Sequence, residues 1–174
     1  AANELKINTK KDKNFEVPEI FWDFTSKRVL SSEKVNGIPI KNFKEINKTK
    51  IDKKELAIDV IQSFLLQAVR DGFFHGDMHQ GNLFVNNKGT IIPVDFGIMG
   101  RLDKENKKYL AEILYGFIER DYEKVADVHF RAGLVPADES REAFAQALRS
   151  IGEPIFGQKI KNISAGKLLA QLFE

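Results

Sequence analysis

The sequence predicts an α+β fold, mainly helical, with small β-hairpins concentrated in its first half. Three observations support this. β-prone runs bounded by turn residues occupy 17–35 and 83–94. Apolar residues recur at helical spacing over 56–69 and again over 109–118. Gly, Pro, Asn and Asp punctuate the chain between these stretches, where turns and helix ends are needed.

Residues 1–14 are polar and lysine-rich and read as a frayed helix end or loop. Pro18 lies in an extended run, 17–21, and the polar link 23–27 leads to a second run, 28–35; the two are expected to pair as a hairpin. Gly37 and Pro39 are expected to break it. Asp52-x-x-Glu55 has the form of a capping box. After it, Leu56, Val60, Ile61, Phe64, Leu65, Ala68 and Val69 recur at helical spacing, with Gly72 as the stop, and this helix is expected to be the buried one. A loop over 75–82, a strand over 83–85, an Asn-Asn-Lys-Gly turn and a strand over 90–94 follow. Beyond Gly100 the chain reads helical. Asp103 precedes one helix, Asp121 begins another that Gly133 closes, Pro136 and Asp138 introduce a third, and a last one starts at Ser164.

A chain of 174 residues suits one domain with a real core, and 43% hydrophobic with 30% charged residues is a soluble globular composition. No apolar run approaches the roughly 18 residues of a membrane span, and no signal-peptide pattern opens the sequence. The absence of cysteine excludes disulfides and thiolate metal sites and fits a reducing compartment. The formal charge of +2 gives no reason to expect a nucleic-acid partner. Residues 1–54 carry thirteen Lys/Arg against eight Asp/Glu. That basic stretch reads as a solvated surface, with anionic lipid or nucleotide phosphate as the alternative.

Most of the functional information lies in residues 72–97, GFFHGDMHQGNLFVNNKGTIIPVDFG. They set His75-Gly-Asp77, then Asn82 five residues after Asp77, then Asp95-Phe-Gly thirteen beyond Asn82. This is the order and spacing of a kinase-type catalytic loop followed by its metal-binding turn. Such chemistry needs a carboxylate, Asp77, to orient or deprotonate the acceptor. It also needs two oxygen donors, Asn82 and Asp95, to hold Mg²⁺ on the phosphates of ATP, and oxygen ligands suit that hard cation. Other readings of the same residues stay open. His75, Asp77 and His79 are possible ligands of a zinc or dinuclear hydrolase site, although His129 is the one further histidine. His75 can also serve structurally, packing and hydrogen-bonding to hold the loop. Asp-Phe-Gly alone is a common turn; the joint match of Asp77, Asn82 and Asp95 is what makes the signal specific.

Together with their flanks, these residues resemble the UbiB-type atypical kinases of ubiquinone biosynthesis. The resemblance runs through VPEIFWDFTSKRVLSSEKVNGIPI, DGFFHGDMHQGNLFV and VDFGIMGRLDKENKKYLAEILYGFIERDYEKVADVHFRAGLVP, and into the tail GEPIFGQKIKNISAGKLLAQLF. It implies a protein-kinase-like fold, with 1–36 as the end of the N-terminal lobe and its hinge strand and 37–174 as an incomplete, mainly helical C-terminal lobe. It implies Asp77 as the catalytic-loop aspartate, Asn82 and Asp95 as Mg²⁺ ligands, and backbone groups of Glu33 and Val35 against the adenine of ATP. It further implies an ATPase or phosphotransferase at the cytoplasmic face of the bacterial inner membrane, with pathway lipids or enzymes as partners. Gln80 stands where the family usually has Pro, which loosens the loop and removes no ligand. Nothing matches the family's phosphate-binding lysine, its glutamate partner or its nucleotide-covering loop, which lie upstream of residue 1 in a typical member. The expectation is a fragment holding one wall of the site, inactive alone, with weak or no nucleotide binding and an exposed apolar surface.

Two further functions are weighed beside this one. A soluble small-molecule phosphotransferase of the aminoglycoside or choline kinase type would need carboxylates for a cationic acceptor, and no dense acidic cluster follows Asp95. A non-catalytic kinase-like docking module would have no physical need to keep Asp77, Asn82 and Asp95 together.

Overall fold

The computed structural model describes residues 1–157, and the chain divides into two compact units, Ala1–Asp103 and Lys104–Glu174. The first unit holds all the β-structure among the described residues. Its chain starts as a short helix, α1 (Ala2–Asn8), where a frayed helix end or loop was expected, and it is packed as part of the unit. α1 is ordered by burial: Ala2 and Leu5 enter the core of this unit, and the Thr9 hydroxyl donates to the Leu5 carbonyl at 2.8 Å. The same core takes Phe15, Val17, Ile20, Ile46, Leu56, Phe73, Leu83, Val85 and Ile91. The two runs expected as a hairpin pair antiparallel, with Phe21 N–H donating to Ser31 O and Glu33 N–H to Glu19 O. A 3₁₀ turn, Trp22–Phe24, leads out of the first arm.

The hairpin ends before Gly37 and Pro39, as expected, and the chain then takes a new strand partner. β1 (Ile38–Pro39) pairs antiparallel with β3 (Leu83–Val85), which pairs with β4 (Ile91–Pro93), in the order β1-β3-β4. Pro39 is tolerated because β1 is an edge strand, where a missing N–H breaks no ladder. Gly37 is needed for close approach, since a Cβ there would lie 2.9 Å from the Val85 carbonyl oxygen. The β3–β4 hairpin is the one expected. Its turn is closed by the Asn86 side chain, which accepts from the Lys88 and Thr90 amides, and by Gly89 at φ +86°. On the far side of β4, Phe15 forms a parallel bridge to Ile91.

After the short α2 (Phe43–Ile46), Asp52 caps α3 (Lys53–Leu65) by accepting from the amides of Lys54 and Glu55. α3 is less buried than its apolar spacing suggests. Ile58 and Ile61 are exposed, and only Leu56 and Ser63 are fully buried. The spacing marks a stripe, and a stripe covers one side of a helix only. α3 widens into a π-helical segment, Leu66–Asp71, before Gly72 stops it in the left-handed conformation (φ 67°). Arg70 anchors the end of that segment. Its guanidinium pairs with both oxygens of Asp71 and of Asp12, at 2.6–3.0 Å. These two carboxylates hold Arg70 more firmly protonated than usual. β2 (Phe73–His75) and β5 (Met99–Arg101) then pair antiparallel, Phe74 opposite Gly100. Both strands are too short to show a period in sequence.

The second unit is helical over its described residues. α4 (Lys104–Glu119) begins directly after Asp103, α5 (Tyr122–Arg131) is capped by Asp121, and α6 (Arg141–Gly157) follows Ser140. Gly133, at φ 69°, ends α5 as expected. Tyr122, Val125, Ala126, Ala145 and Leu148 form its core. An ionic chain runs Glu112–Arg131–Asp127–Arg141 along its surface, and these arginines hold both carboxylates below their usual range. No helix among the described residues is long and apolar enough to cross a membrane. The helix expected from Ser164 lies outside the described residues.

Candidate active site

The site is assembled where β2 ends, where β3 begins and where β4 ends. β2 delivers His75, the loop 76–82 carries Asp77 and Asn82, and the residue following Val94 is Asp95. Because β3 and β4 are antiparallel neighbours, the start of one lies beside the end of the other, and Val94 N–H donates to the Asn82 carbonyl at 3.0 Å. Hairpin geometry therefore brings together residues thirteen apart in sequence.

Asp77 and Asn82 meet directly. The Asn82 amide nitrogen donates to the Asp77 carboxylate (Oδ2, 3.0 Å) and to the Asp77 backbone carbonyl (3.2 Å). That orientation leaves the Asn82 amide oxygen as the end free for a cation. Asp95 is fixed by its own turn, with the Gly97 amide donating to Oδ1 at 2.8 Å.

His75 joins the two halves. Its Nδ1 accepts from the Asp77 amide at 3.1 Å, and its Nε2 contacts the Asp95 carbonyl oxygen. A carbonyl can only accept, so the proton is on Nε2 and the ring is the neutral tautomer. Burial pushes the His75 pKa below its usual value, which favours that form. The ring also packs against Phe96 at 5.9 Å between centroids. With both nitrogens turned to backbone, His75 is unavailable as a metal ligand. Among the described residues no three His, Asp or Glu side chains converge on a point where a metal would sit.

His79 folds back over the loop, its Nδ1 accepting from the Gly81 amide at 2.9 Å and its Nε2 lying 3.7 Å from the Asp77 carboxylate. Gly81 makes room for it, since a Cβ there would lie 2.6 Å from the ring. Beside Asp95 opens a cleft of about 350 Å³ lined by Ile20, Trp22, Leu30, Val94, Phe96 and Gly97 among others. Trp22 and Leu30 stand more than half exposed at its rim. Glu33 and Val35 lie on and after the second hairpin arm. Glu33 N–H is taken by Glu19 O, so its carbonyl is the group it can offer a ligand. No hydrogen bond joins either residue to Asp77, Asn82 or Asp95 among the described contacts.

Residues 1–129 match the ABC1 atypical kinase-like domain. The chain belongs to that family. It is 39% identical over 177 aligned residues to the probable protein kinase UbiB of Pseudomonas aeruginosa, covering 99% of this chain and 33% of that protein. It is 41% identical over 176 residues to the probable protein kinase UbiB of Aliivibrio fischeri, covering 99% and 32% respectively. The chain thus spans about a third of the length of the curated relatives it matches. Among solved structures, a Mycobacterium tuberculosis protein, Rv3197, solved as a complex with erythromycin, superposes with a TM-score of 0.58 at 21% identity, covering 89% of this chain and 40% of that one. The fold is a partial protein-kinase-like fold of the α+β class, and the family is that of the atypical kinases.

One residue at this site escaped the sequence reading. Gln67, on the π-helical segment, is fully buried and its side-chain carbonyl accepts from the His75 amide at 3.3 Å. Its signal was a polar side chain three residues after Phe64 and seven after Val60, on the apolar stripe.

Proposed function

We propose that this chain carries the catalytic loop and metal-binding turn of a Mg-ATP-dependent phosphotransferase or ATPase of the UbiB type, supporting ubiquinone biosynthesis at the inner face of the bacterial membrane. The reading rests above all on one observation: Asp77 and Asn82 are hydrogen-bonded to each other, and His75 ties the backbone of Asp77 to that of Asp95. The 39–41% identity to probable protein kinases UbiB across the whole chain supports the family assignment and the ubiquinone role.

In this reading the Asn82 amide oxygen and the Asp95 carboxylate hold Mg²⁺, both hard oxygen donors. When bound there, Mg²⁺ would supply charge neutralisation for phosphoryl transfer. Asp77 orients the acceptor hydroxyl, or a water, and takes its proton. The Asn82 amide hydrogens hold the Asp77 carboxylate in place for that task. The carbonyl of Glu33 and the backbone of Val35 meet the adenine, and the apolar cleft beside Asp95 excludes water from the reacting groups. Pathway lipids or enzymes at the membrane are the expected partners, and the first basic stretch is the segment whose charge suits an anionic surface.

The test is Mn²⁺ titration of the isotope-labelled chain, with Asp95→Asn beside it. Paramagnetic broadening centred on Asn82 and Asp95, and lost in the variant, supports the assignment. Uniform broadening, equal in both proteins, contradicts it.

A further inference from the structure

Gln67 is an expensive residue to bury. Its side chain is wholly enclosed, and among the described residues its Nε2 has no hydrogen-bond partner. Leaving such a group unsatisfied is destabilising, and a leucine or methionine would fill similar space without that penalty. The carbonyl end of the same side chain is engaged. It accepts from the His75 backbone amide at 3.3 Å.

Strand geometry explains why that amide needs a partner. In β2 the hydrogen bonds to β5 and its flanks run from Gly76 N–H to Ile98 O and from Leu102 N–H to Gly72 O. Backbone groups alternate in direction along an antiparallel strand. If 72 and 76 face β5, the amide of 75 faces away, on a side where no strand lies among the described residues. Gln67 supplies there the acceptor that a third strand would have given. The π-helical segment Leu66–Asp71 accompanies this placement. Such widened turns are uncommon and concentrate at functional sites. Arg70 fixes the end of the segment through Asp12 and Asp71.

We propose that Gln67 is a positioning residue of the active site, setting the imidazole of His75 through its backbone. His75 in turn holds the Asp77 amide and the Asp95 carbonyl, so the buried amide of Gln67 sets the separation of the acceptor-orienting loop from the metal-binding turn. The functional consequence rests on the Mg-nucleotide reading above; the positioning itself does not.

The experiment compares Gln67→Leu, Gln67→Met and Gln67→Glu in the 174-residue chain. The Glu variant keeps an oxygen acceptor for His75 N–H. Three readouts are taken: thermal stability, the ¹⁵N signature of the His75 imidazole, and Mn²⁺ broadening at Asn82 and Asp95. Leu and Met remove the orphaned Nε2 and leave the His75 N–H unpaired instead, so the two effects offset and the melting temperature should stay close to wild type. In both, the His75 ring should lose its single Nε2–H tautomer signature, and Mn²⁺ affinity should fall about tenfold, as for other residues that orient metal ligands indirectly. Glu should restore the ring signature and most of the affinity. Lowered stability in Leu and Met with an unchanged His75 ring would overturn the proposal and leave Gln67 as packing only. Absence of specific Mn²⁺ broadening in wild type, with the ring signature still shifting in Leu and Met, would refute the metal reading and support the positioning role.

Discussion

His75→Phe removes the link between the two halves of the site while keeping a ring of similar size in a pocket that leaves His75 1% exposed. Two backbone groups lose their partners, the Asp77 amide and the Asp95 carbonyl. Each lost hydrogen bond to an enclosed group costs about 1–3 kcal/mol. Asp77 is half-buried and Asp95 exposed, so water recovers part of this and the lower half of the range applies. Exchanging a buried imidazole for a phenyl ring returns about 1 kcal/mol, because the neutral imidazole is itself desolvated at a cost. The net expectation is a destabilisation of about 1–3 kcal/mol in the Ala1–Asp103 unit, with faster hydrogen exchange at Asp77. Urea titration followed through amide signals of that unit measures the first, and exchange of the Asp77 amide measures the second. Unchanged stability together with unchanged Asp77 protection would refute the view that His75 holds the loop.

Removing the Arg70 charge with Arg70→Gln leaves Asp12 and Asp71, whose side chains are 8% and 13% exposed, facing each other without a cation. A loss of about 2–3 kcal/mol is expected by urea titration, tempered by the partial exposure of Arg70 itself, and Asp12→Asn in the same chain should restore part of it. Gly100→Ala puts a Cβ 2.1 Å from the Phe74 ring, so β5 and β2 cannot keep their register without moving the ring. About 1–3 kcal/mol of overpacking cost should appear in thermal unfolding. The depressed pKa of His75 has a definite sign in pH dependence. Its contribution to stability is fully present above the unfolded value of about 6.5 and is lost as pH falls from there toward the folded value, because only the unfolded state takes up the proton readily. His75→Phe should flatten stability between pH 7 and pH 5 at low ionic strength.

Much of this molecule is legible in the sequence where chemistry is local. The β3–β4 hairpin follows from its Asn-Asn-Lys-Gly turn, and the starts of α3 and α5 from Asp52 and Asp121, since a capping side chain acts on amides two or three residues away. The spacing of Asp77, Asn82 and Asp95 is read directly along the chain, and the β3–β4 hairpin sets the backbones of Asn82 and Val94 side by side. What sequence could not show depends on tertiary partners. α1 is ordered by burying Leu5 in a core formed largely by residues far along the chain. β1, β2 and β5 are two or three residues long and exist through their pairing. The exposure of Ile58 and Ile61 shows that an apolar stripe gives a direction and not a depth. The π-helical segment shifts register in a way that a period of 3.6 cannot reveal, and Gln67 was not singled out.

The central claim is that Asp77, Asn82 and Asp95 form a Mg-nucleotide centre. Its most direct test is Mg²⁺-dependent ATP turnover by a protein of the curated relatives' length carrying this sequence, with Asp95→Asn measured beside it. Turnover that depends on Mg²⁺ and falls about a hundredfold or more in the variant is the predicted result. Turnover equal in both proteins would remove Asp95 from the metal site and contradict the account.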